Sequence, residues 1–257
     1  MNIQEMNEKY ISLCSRFSIP ICISTIDDSE APAQAISDNG AVSTITLNTE
    51  KIADTDYEMY LAYNIGKVLL PRLVLETERL ILRRFRTEDT ADCFGFMSVA
   101  EDCYMDCCKP FTEMDEEFYR RIELFGEREN QYMIVLKEEN KVIGTVNVCA
   151  DDSRAVVTRE IGYSISATYQ RKGYAYEALS ALINLLQNEL KLDLIVAGVL
   201  EDNMKSMKLL DKLGFHKEGL RRKAIWHEGL DKPMDLVYFG AFGRTGAGVL
   251  MLKYPDG

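Results

Sequence analysis

Gln170-Arg171-Lys172-Gly173-Tyr174-Ala175 stands between a strand-like run and a long stretch with helical periodicity. Ala175, Ala178, Leu179, Leu182, Ile183 and Leu186 recur at three- and four-residue steps, so one apolar stripe follows a helix that starts near Lys172. A helix start exposes unpaired backbone N–H groups and the positive end of the dipole, which together attract phosphate. Gly173 lets the backbone approach an anion closely, and Ala175 leaves the next turn uncluttered. Arg171 and Lys172 add positive charge at the mouth. The segment predicts a phosphate site at the N-terminus of that helix.

On its upstream side, Glu160-Ile161-Gly162-Tyr163-Ser164-Ile165 closes a strand predicted over Val156–Ile165. Downstream come a strand at Leu194–Val199 and a helix at Asn203–Leu213 capped by Gly214. A strand pair at 218–227 and 234–242 follows. Farther upstream, Arg79–Phe85 reads as a strand, and Thr87-Glu88-Asp89 carries the capping chemistry of a helix through Ala91–Ser98. A helix over Asp115–Gly126 leads to strands at Tyr132–Leu136 and Val142–Cys149, joined at Glu139-Asn140. The order β-α-α-β-β-β-α-β-α-β-β predicts an α/β (α+β) fold, a mixed sheet with helices on both faces.

Three ordered motifs carry a resemblance: Glu76-Thr77-Glu78-Arg79-Leu80-Ile81-Leu82-Arg83, the Gln170–Ala175 segment, and Asn203-Met204-Lys205-Ser206 through Lys212-Leu213-Gly214-Phe215. Residues 75–242 resemble the GNAT acetyltransferases, specifically the branch of ribosomal-protein N-terminal acetyltransferases. That resemblance implies a mostly antiparallel central sheet and acetyl-CoA as acyl donor. It implies that backbone N–H groups of Arg171, Lys172, Gly173, Tyr174, Ala175 and Tyr176, beside Gln170, hold the CoA pyrophosphate. It also implies that the fourth and fifth strands, here Val156–Ile165 and Leu194–Val199, splay apart to admit pantetheine. The backbone around Ile165 then bonds pantetheine and polarises the thioester carbonyl. Asn203 matches the family's Asn on the CoA arm, and Lys205 and Lys208 are near enough in sequence to reach the 3′-phosphate.

The implied reaction is direct attack by a primary amine, a protein N-terminus or a small molecule, in a ternary complex. An α-amine with pKa about 8 is roughly one-tenth neutral at pH 7, whereas a lysine-like amine with pKa about 10.4 is almost wholly protonated. A base therefore matters, and Glu160 matches the carboxylate this branch carries on its fourth strand. Many members use a Tyr as general acid in the helix after the fifth strand; the matching position here is Leu210, a departure from the pattern. Ser206 matches a serine of the ribosomal-type branch and is expected to protonate the thiolate. The missing Tyr leaves a second reading open, a non-catalytic acyl-CoA-binding sensor. His216 and His227 flank the last hairpin, and Trp226 and His227 are candidates for the acceptor groove.

Composition agrees with a soluble domain protein of 257 residues, 47% hydrophobic and 28% charged. No apolar run approaches the roughly 20 residues that cross a membrane, and the start lacks the basic-then-apolar order of a signal peptide; a cytoplasmic location is expected. The net charge is −11, with 5 basic and 10 acidic side chains in residues 1–74 and 25 and 31 in residues 75–257. Both parts are acidic, which argues against nucleic acid as a partner and suits a cationic amine. Seven irregularly spaced cysteines include no C-x-x-C pair, so neither a disulfide framework nor a metal site is expected. Cys103, Cys107 and Cys108 are read as free thiols near the substrate side.

Residues 1–74 form a small separate domain in this reading, and 243–257 a tail. A helix at Gln4–Phe17, a strand at Ile19–Ile26, a hairpin turning at Asp38-Asn39-Gly40 and a helix at Asp54–Leu70 are expected. Ile45-Thr46-Leu47-Asn48 with Tyr60–Pro71 resembles the strand and active-site helix of a zinc metallopeptidase. The ligand and base positions read Tyr63, Asn64 and Lys67, so neither metal nor peptidase activity is expected. An exposed helix or strand of this domain offers a surface for a homodimer.

Overall fold

A computed structural model of the chain describes residues 1–151 and 156–243. It separates into two compact units, one of residues 1–73 with 188–191, the other of 74–187 with the chain from 192 onward. The predicted tail lies, after Gly243, outside the described residues.

The first unit contains α1 (Ile3–Arg16), β1 (Ile21–Ile26), β2 (Gln34–Asp38), β3 (Ser43–Asn48) and α2 (Tyr57–Leu69). Asn2 and Glu5 cap α1 reciprocally. β3 is central, parallel to β1 and antiparallel to β2. The hairpin turns at the expected place: Asp38 accepts from the Gly40 N–H at 2.8 Å, and Asn39 Oδ1 accepts from the Val42 N–H at 2.8 Å. Tyr10, Leu13, Ile45, Leu47, Leu61 and Ile65 are buried in its core. The three peptidase-like positions have ordinary packing partners. Lys67 Nζ lies 4.3 Å over the Tyr63 ring, and buried Asn64 donates to Gln34 Oε1 at 2.6 Å and the Tyr60 carbonyl at 2.7 Å.

The second unit runs β4 (Leu75–Glu76), β5 (Leu80–Arg83), α3 (Thr90–Met97), α4 (Ala100–Met105), α5 (Glu116–Glu127), β6 (Gln131–Leu136), β7 (Lys141–Ala150), β8 (Thr158–Ile165), α6 (Tyr174–Asn184), β9 (Leu194–Leu200), α7 (Met204–Lys212), β10 (His216–His227) and β11 (Lys232–Phe242). The sheet order is β10-β11-β9-β8-β7-β6-β5-β4. Neighbours pair antiparallel except β8 with β9, the mixed, mostly antiparallel sheet expected.

Two elements escaped the sequence pattern. β4 is two residues long, and α4 is a six-residue helix, Ala-Glu-Asp-Cys-Tyr-Met, too short to show a period. α6 begins at Tyr174 rather than Lys172 because Arg171 (φ 63°) and Gly173 (φ 86°) hold left-handed backbone ahead of it. α7 is capped at its start by Asn203, whose Oδ1 accepts from the Ser206 N–H at 3.1 Å, and stopped by Gly214 at φ 86°.

β6 is buried at every position, so the helices cover both faces of the sheet there. Phe118, Ile122 and Phe125 of α5 meet Cys93, Phe96 and Met97 of α3 over Met133, Val135 and Val142. Phe118 is wholly buried and packs edge-on against Phe94 and Phe111, both at 5.3 Å between ring centres. Phe118→Ala is expected to cost about 3–5 kcal/mol, read as an earlier midpoint in urea unfolding of the intact protein.

Candidate active site

β8 and β9 share parallel register over Thr158–Leu194, Arg159–Ile195 and Glu160–Val196, and the pairing ends there. β8 continues to Ile165 with only β7 beside it, and β9 continues to Leu200 with β11. On the β7 side, the Ser166 N–H donates to the Ile143 carbonyl at 2.9 Å, so Gly144–Ile165 is a non-hydrogen-bonded pair. Val146–Tyr163, two residues back, has the same character. The backbone N–H and C=O groups of Ile165 and Tyr163 therefore face the opening between the strands. Gln170 Nε2 donates to the Ile165 carbonyl at 2.9 Å, leaving the Ile165 N–H for an occupant.

The loop that follows leaves a run of backbone N–H groups without protein acceptors. Among the described residues, no acceptor meets the backbone N–H groups of Arg171 to Tyr176, whereas the Glu177 N–H bonds the Gly173 carbonyl at 3.0 Å and begins the helical ladder. The loop is braced from β5 and the turn before it. Glu177 accepts from Thr77 Oγ1 at 2.6 Å, from the Arg79 N–H at 2.8 Å and from Arg79 Nε at 2.6 Å. Arg79 Nη1 also donates to the Lys172 carbonyl at 3.1 Å. Burial by itself would raise the Glu177 pKa, but the bonds from Thr77 and Arg79 outweigh it and hold the carboxyl below its usual range.

This loop, the open edge of β8 and the start of α7 line a cleft of about 330 Å³. Ile165, Gln170, Arg171, Gly173, Tyr174, Ala175, Tyr176, Asn203 and Ser206, all singled out from sequence, stand in its wall. Lys172 does not line it and contributes through its carbonyl to the loop's brace. Asn203 spends its side-chain oxygen on capping α7. Lys205 reaches the cleft and bonds Gln170 Oε1 at 3.0 Å and Glu101 Oε1 at 3.1 Å. Lys208 is exposed and outside the lining; Lys212, one turn on, lines the cleft with Nζ 4.2 Å over the Tyr176 ring. The helical step of 3.6 residues decides between them.

A second cavity of about 460 Å³ adjoins the first, and Met105, Asp106, Tyr163, Ser164, Asn203 and Ser206 belong to both walls. Glu160 lines this second cavity only, and its carboxylate accepts from the Tyr238 hydroxyl at 3.2 Å. The sequence reading thus brings Ser206 to the junction and leaves Glu160 off it. Leu210 is wholly buried, so the expected Tyr position faces the core. The Tyr163 hydroxyl, pushed up to a pKa of about 12 by burial, reaches the same junction from β8 and donates to the Ser206 carbonyl at 3.4 Å.

Asp106, which no sequence motif marked, is exposed to the cavities with protein packed around its other sides. Burial raises its pKa to about 6; the Ser164 side chain, placed to bond it, pulls the other way, and Asp102 adds to the rise. The signal available in sequence was only an acid in a short Asp-Cys-Cys stretch. Ile225 and Leu236 line the second cavity, but Trp226 is exposed elsewhere and His227 is buried, its Nδ1 accepting from the Leu230 N–H at 3.2 Å. The acceptor-groove expectation for those two residues is corrected accordingly: alternation along β10 turns Trp226 to the face opposite Ile225, and His227 is packed away against the Tyr104 ring at 5.0 Å. Cys107 and Cys108 line the cavity as free thiols, while Cys103 bonds the Met97 carbonyl at 3.1 Å. Among the described residues no set of His, Cys, Asp and Glu is gathered to hold a metal, and no helix is long and apolar enough to cross a membrane.

The model of the acetyltransferase (GNAT) domain family matches residues 79–216, more than half of the chain. The chain belongs to the GNAT acetyltransferases, and it is an enzyme of that class. An uncharacterized N-acetyltransferase of Bacillus licheniformis is 32% identical over 182 residues, covering 68% of this chain and 98% of its own. The ribosomal protein uS5 alanine N-acetyltransferase of Escherichia coli is 28% identical, over 62% of this chain and 87% of its own. Among solved structures, the spermidine N-acetyltransferase of Vibrio cholerae in complex with CoA and spermine shares the fold with TM-score 0.52 at 18% identity, covering 65% and 96% of the two chains.

A carboxyl whose folded-state pKa is raised loses stability as pH climbs from its ordinary 3.8 through about 6. Asp106→Asn is therefore expected to raise the melting temperature at pH 7.5 and to lose that gain near pH 4, measured by calorimetry across the range.

Proposed function

We propose that this GNAT enzyme transfers an acetyl group from acetyl-CoA to a primary amine by direct attack in a ternary complex. The observation that carries the reading is the continuity of the two cavities. Six unpaired N–H groups at Arg171–Tyr176 lead along the open edge of β8 to Ile165, and from there to the junction with the second cavity. The N–H groups and the α6 dipole suit the pyrophosphate, with Lys205 and Lys212 supplying charge along the same wall. Pantetheine lies in the gap between β8 and β9, where Ile165 offers its N–H to the thioester carbonyl. The acceptor enters through the second cavity, whose Glu160 contributes negative charge toward an ammonium group. The solved neighbour carrying CoA adds support for the donor, and the uS5 alanine and spermidine enzymes bracket the kinds of amine to screen.

Ser206 is the proton donor to the departing thiolate in this reading, since it is a hydroxyl residue that lines both cavities. The Leu210 departure, which favoured a non-catalytic module, is met by two hydroxyls at the junction, those of Ser206 and Tyr163.

Calorimetric titration of acetyl-CoA is expected to show binding to the wild type and at least a tenfold loss in Gly173→Glu, which forces a side chain onto φ 86° and sets a carboxylate at the loop. Absence of binding to the wild type would end the acetyl-CoA assignment. Ser206→Ala should lower kcat with acetyl-CoA affinity spared, and an unchanged kcat would remove Ser206 from the mechanism.

A further inference from the structure

We infer that Asp106 is the catalytic base of this enzyme, receiving the acceptor's ammonium group at the point where the two cavities meet. The inference rests on the acetyl-transfer reading above and replaces Glu160 in the one role assigned to it from sequence. Three observations carry it. Asp106 is the single carboxylate, among the described residues, that lines both the donor cleft and the acceptor cavity. Glu160 and the arginines Arg121 and Arg128 line the acceptor cavity without reaching the donor cleft. Glu160 is further engaged by the Tyr238 hydroxyl, and Arg121 by Glu228 at 3.0 Å.

The second observation is position. Asp106 follows the last residue of α4, and the other two carboxylates of that helix facing the donor cleft are already engaged, Glu101 with Lys205 at 3.1 Å. Asp102 accepts from the Ala167 N–H with both oxygens, at 2.9 and 3.2 Å. Asp106 instead stands opposite Ser164 of β8, one residue before the Ile165 N–H that faces the thioester position. An amine held by Asp106 is thus set beside the carbonyl it must attack.

The third is its surroundings. Facing Asp106 are Asp102 and the thiols of Cys103, Cys107 and Cys108 on its own segment, and Ser164 and Tyr163 from β8. Ser206 and Asn203 line the same junction from α7, and Lys205 of the donor cleft is paired with Glu101. The environment is anionic and polar, and among the described residues no arginine lines both cavities, which suits a cation arriving to be deprotonated. A carboxyl that titrates near pH 6 accepts a proton from an ammonium far better than an ordinary one.

The ammonium gives one proton to the Asp106 carboxylate, and the neutral amine adds to the thioester carbonyl, forming the C–N bond. The C–S bond then breaks, and the proton still carried by nitrogen passes to the thiolate by way of Ser206. Amide and free CoA leave, and Asp106 returns its proton to solvent.

The test is steady-state kinetics of the full chain with acetyl-CoA and two probes, glycinamide and 2,2,2-trifluoroethylamine, the latter neutral at assay pH. With glycinamide, wild-type kcat should rise with pH through an acidic limb near 6, because the base must be deprotonated. Asp106→Asn should lose that limb and about 100-fold or more in kcat, with much of the loss absent for trifluoroethylamine, which needs no deprotonation before it attacks. Glu160→Gln should keep the limb. Acetyl-CoA titration and thermal melting of each variant separate chemistry from folding. An Asp106→Asn enzyme that retains the limb, a limb abolished in Glu160→Gln, or an equal loss for both probes overturns the assignment. So does a wild type that binds acetyl-CoA and acetylates neither probe, whereas a wild type that binds no acetyl-CoA overturns the parent reading instead.

Discussion

Strands β8 and β9 share hydrogen bonds across three residue pairs and then separate, although each keeps its outer neighbour. A strand inside a sheet normally satisfies both edges, and buried backbone groups without partners are costly. β8 carries that cost at Tyr163 and Ile165, where the sheet has been left one strand short. The pantetheine proposed for the gap would restore the missing partners, which gives the proposed site its direction. The Arg171–Tyr176 loop continues the same theme, with left-handed backbone turning successive N–H groups outward instead of into the helix.

The bracing around that loop shows how a soft feature is kept in register. Thr77 and Arg79, nearly one hundred residues earlier in the chain, converge on Glu177 in the first turn of α6. Arg79 also covers the Tyr174 ring, with its guanidinium carbon 4.5 Å from the ring centre. The loop thus hangs from β5 as much as from the helix it precedes. The junction of the two cavities, by contrast, is assembled from elements with no shared pattern: Asp106 after α4, Ser164 and Tyr163 on β8, Ser206 on α7. Holding Asp106 in that setting costs the folded state at neutral pH, a familiar exchange of stability for activity.

The first unit has its own buried core and its own sheet. Its peptidase-like helix keeps the apolar spacing of such a helix while Tyr63, Asn64 and Lys67 have taken up ring stacking and side-chain hydrogen bonds. Similarity of pattern there reflects helix packing on a strand, which many functions share.

The longer helices and strands, the stop at Gly214 and the loop at Gly173 were legible in the sequence, because each depends on neighbours within one or two turns. The cleft-lining residues Gln170, Arg171, Gly173, Tyr174, Ala175 and Tyr176 stood out for the same reason, lying in one short segment. Which lysine faces the cleft was decided by helical phase once α7 was docked, and Lys212 displaced Lys208. Glu160 and Asp106 are both acids on paper. Only the packing of α4 against β8 decides which one meets both cavities, because proximity across the sheet is set by tertiary contacts that no local spacing encodes.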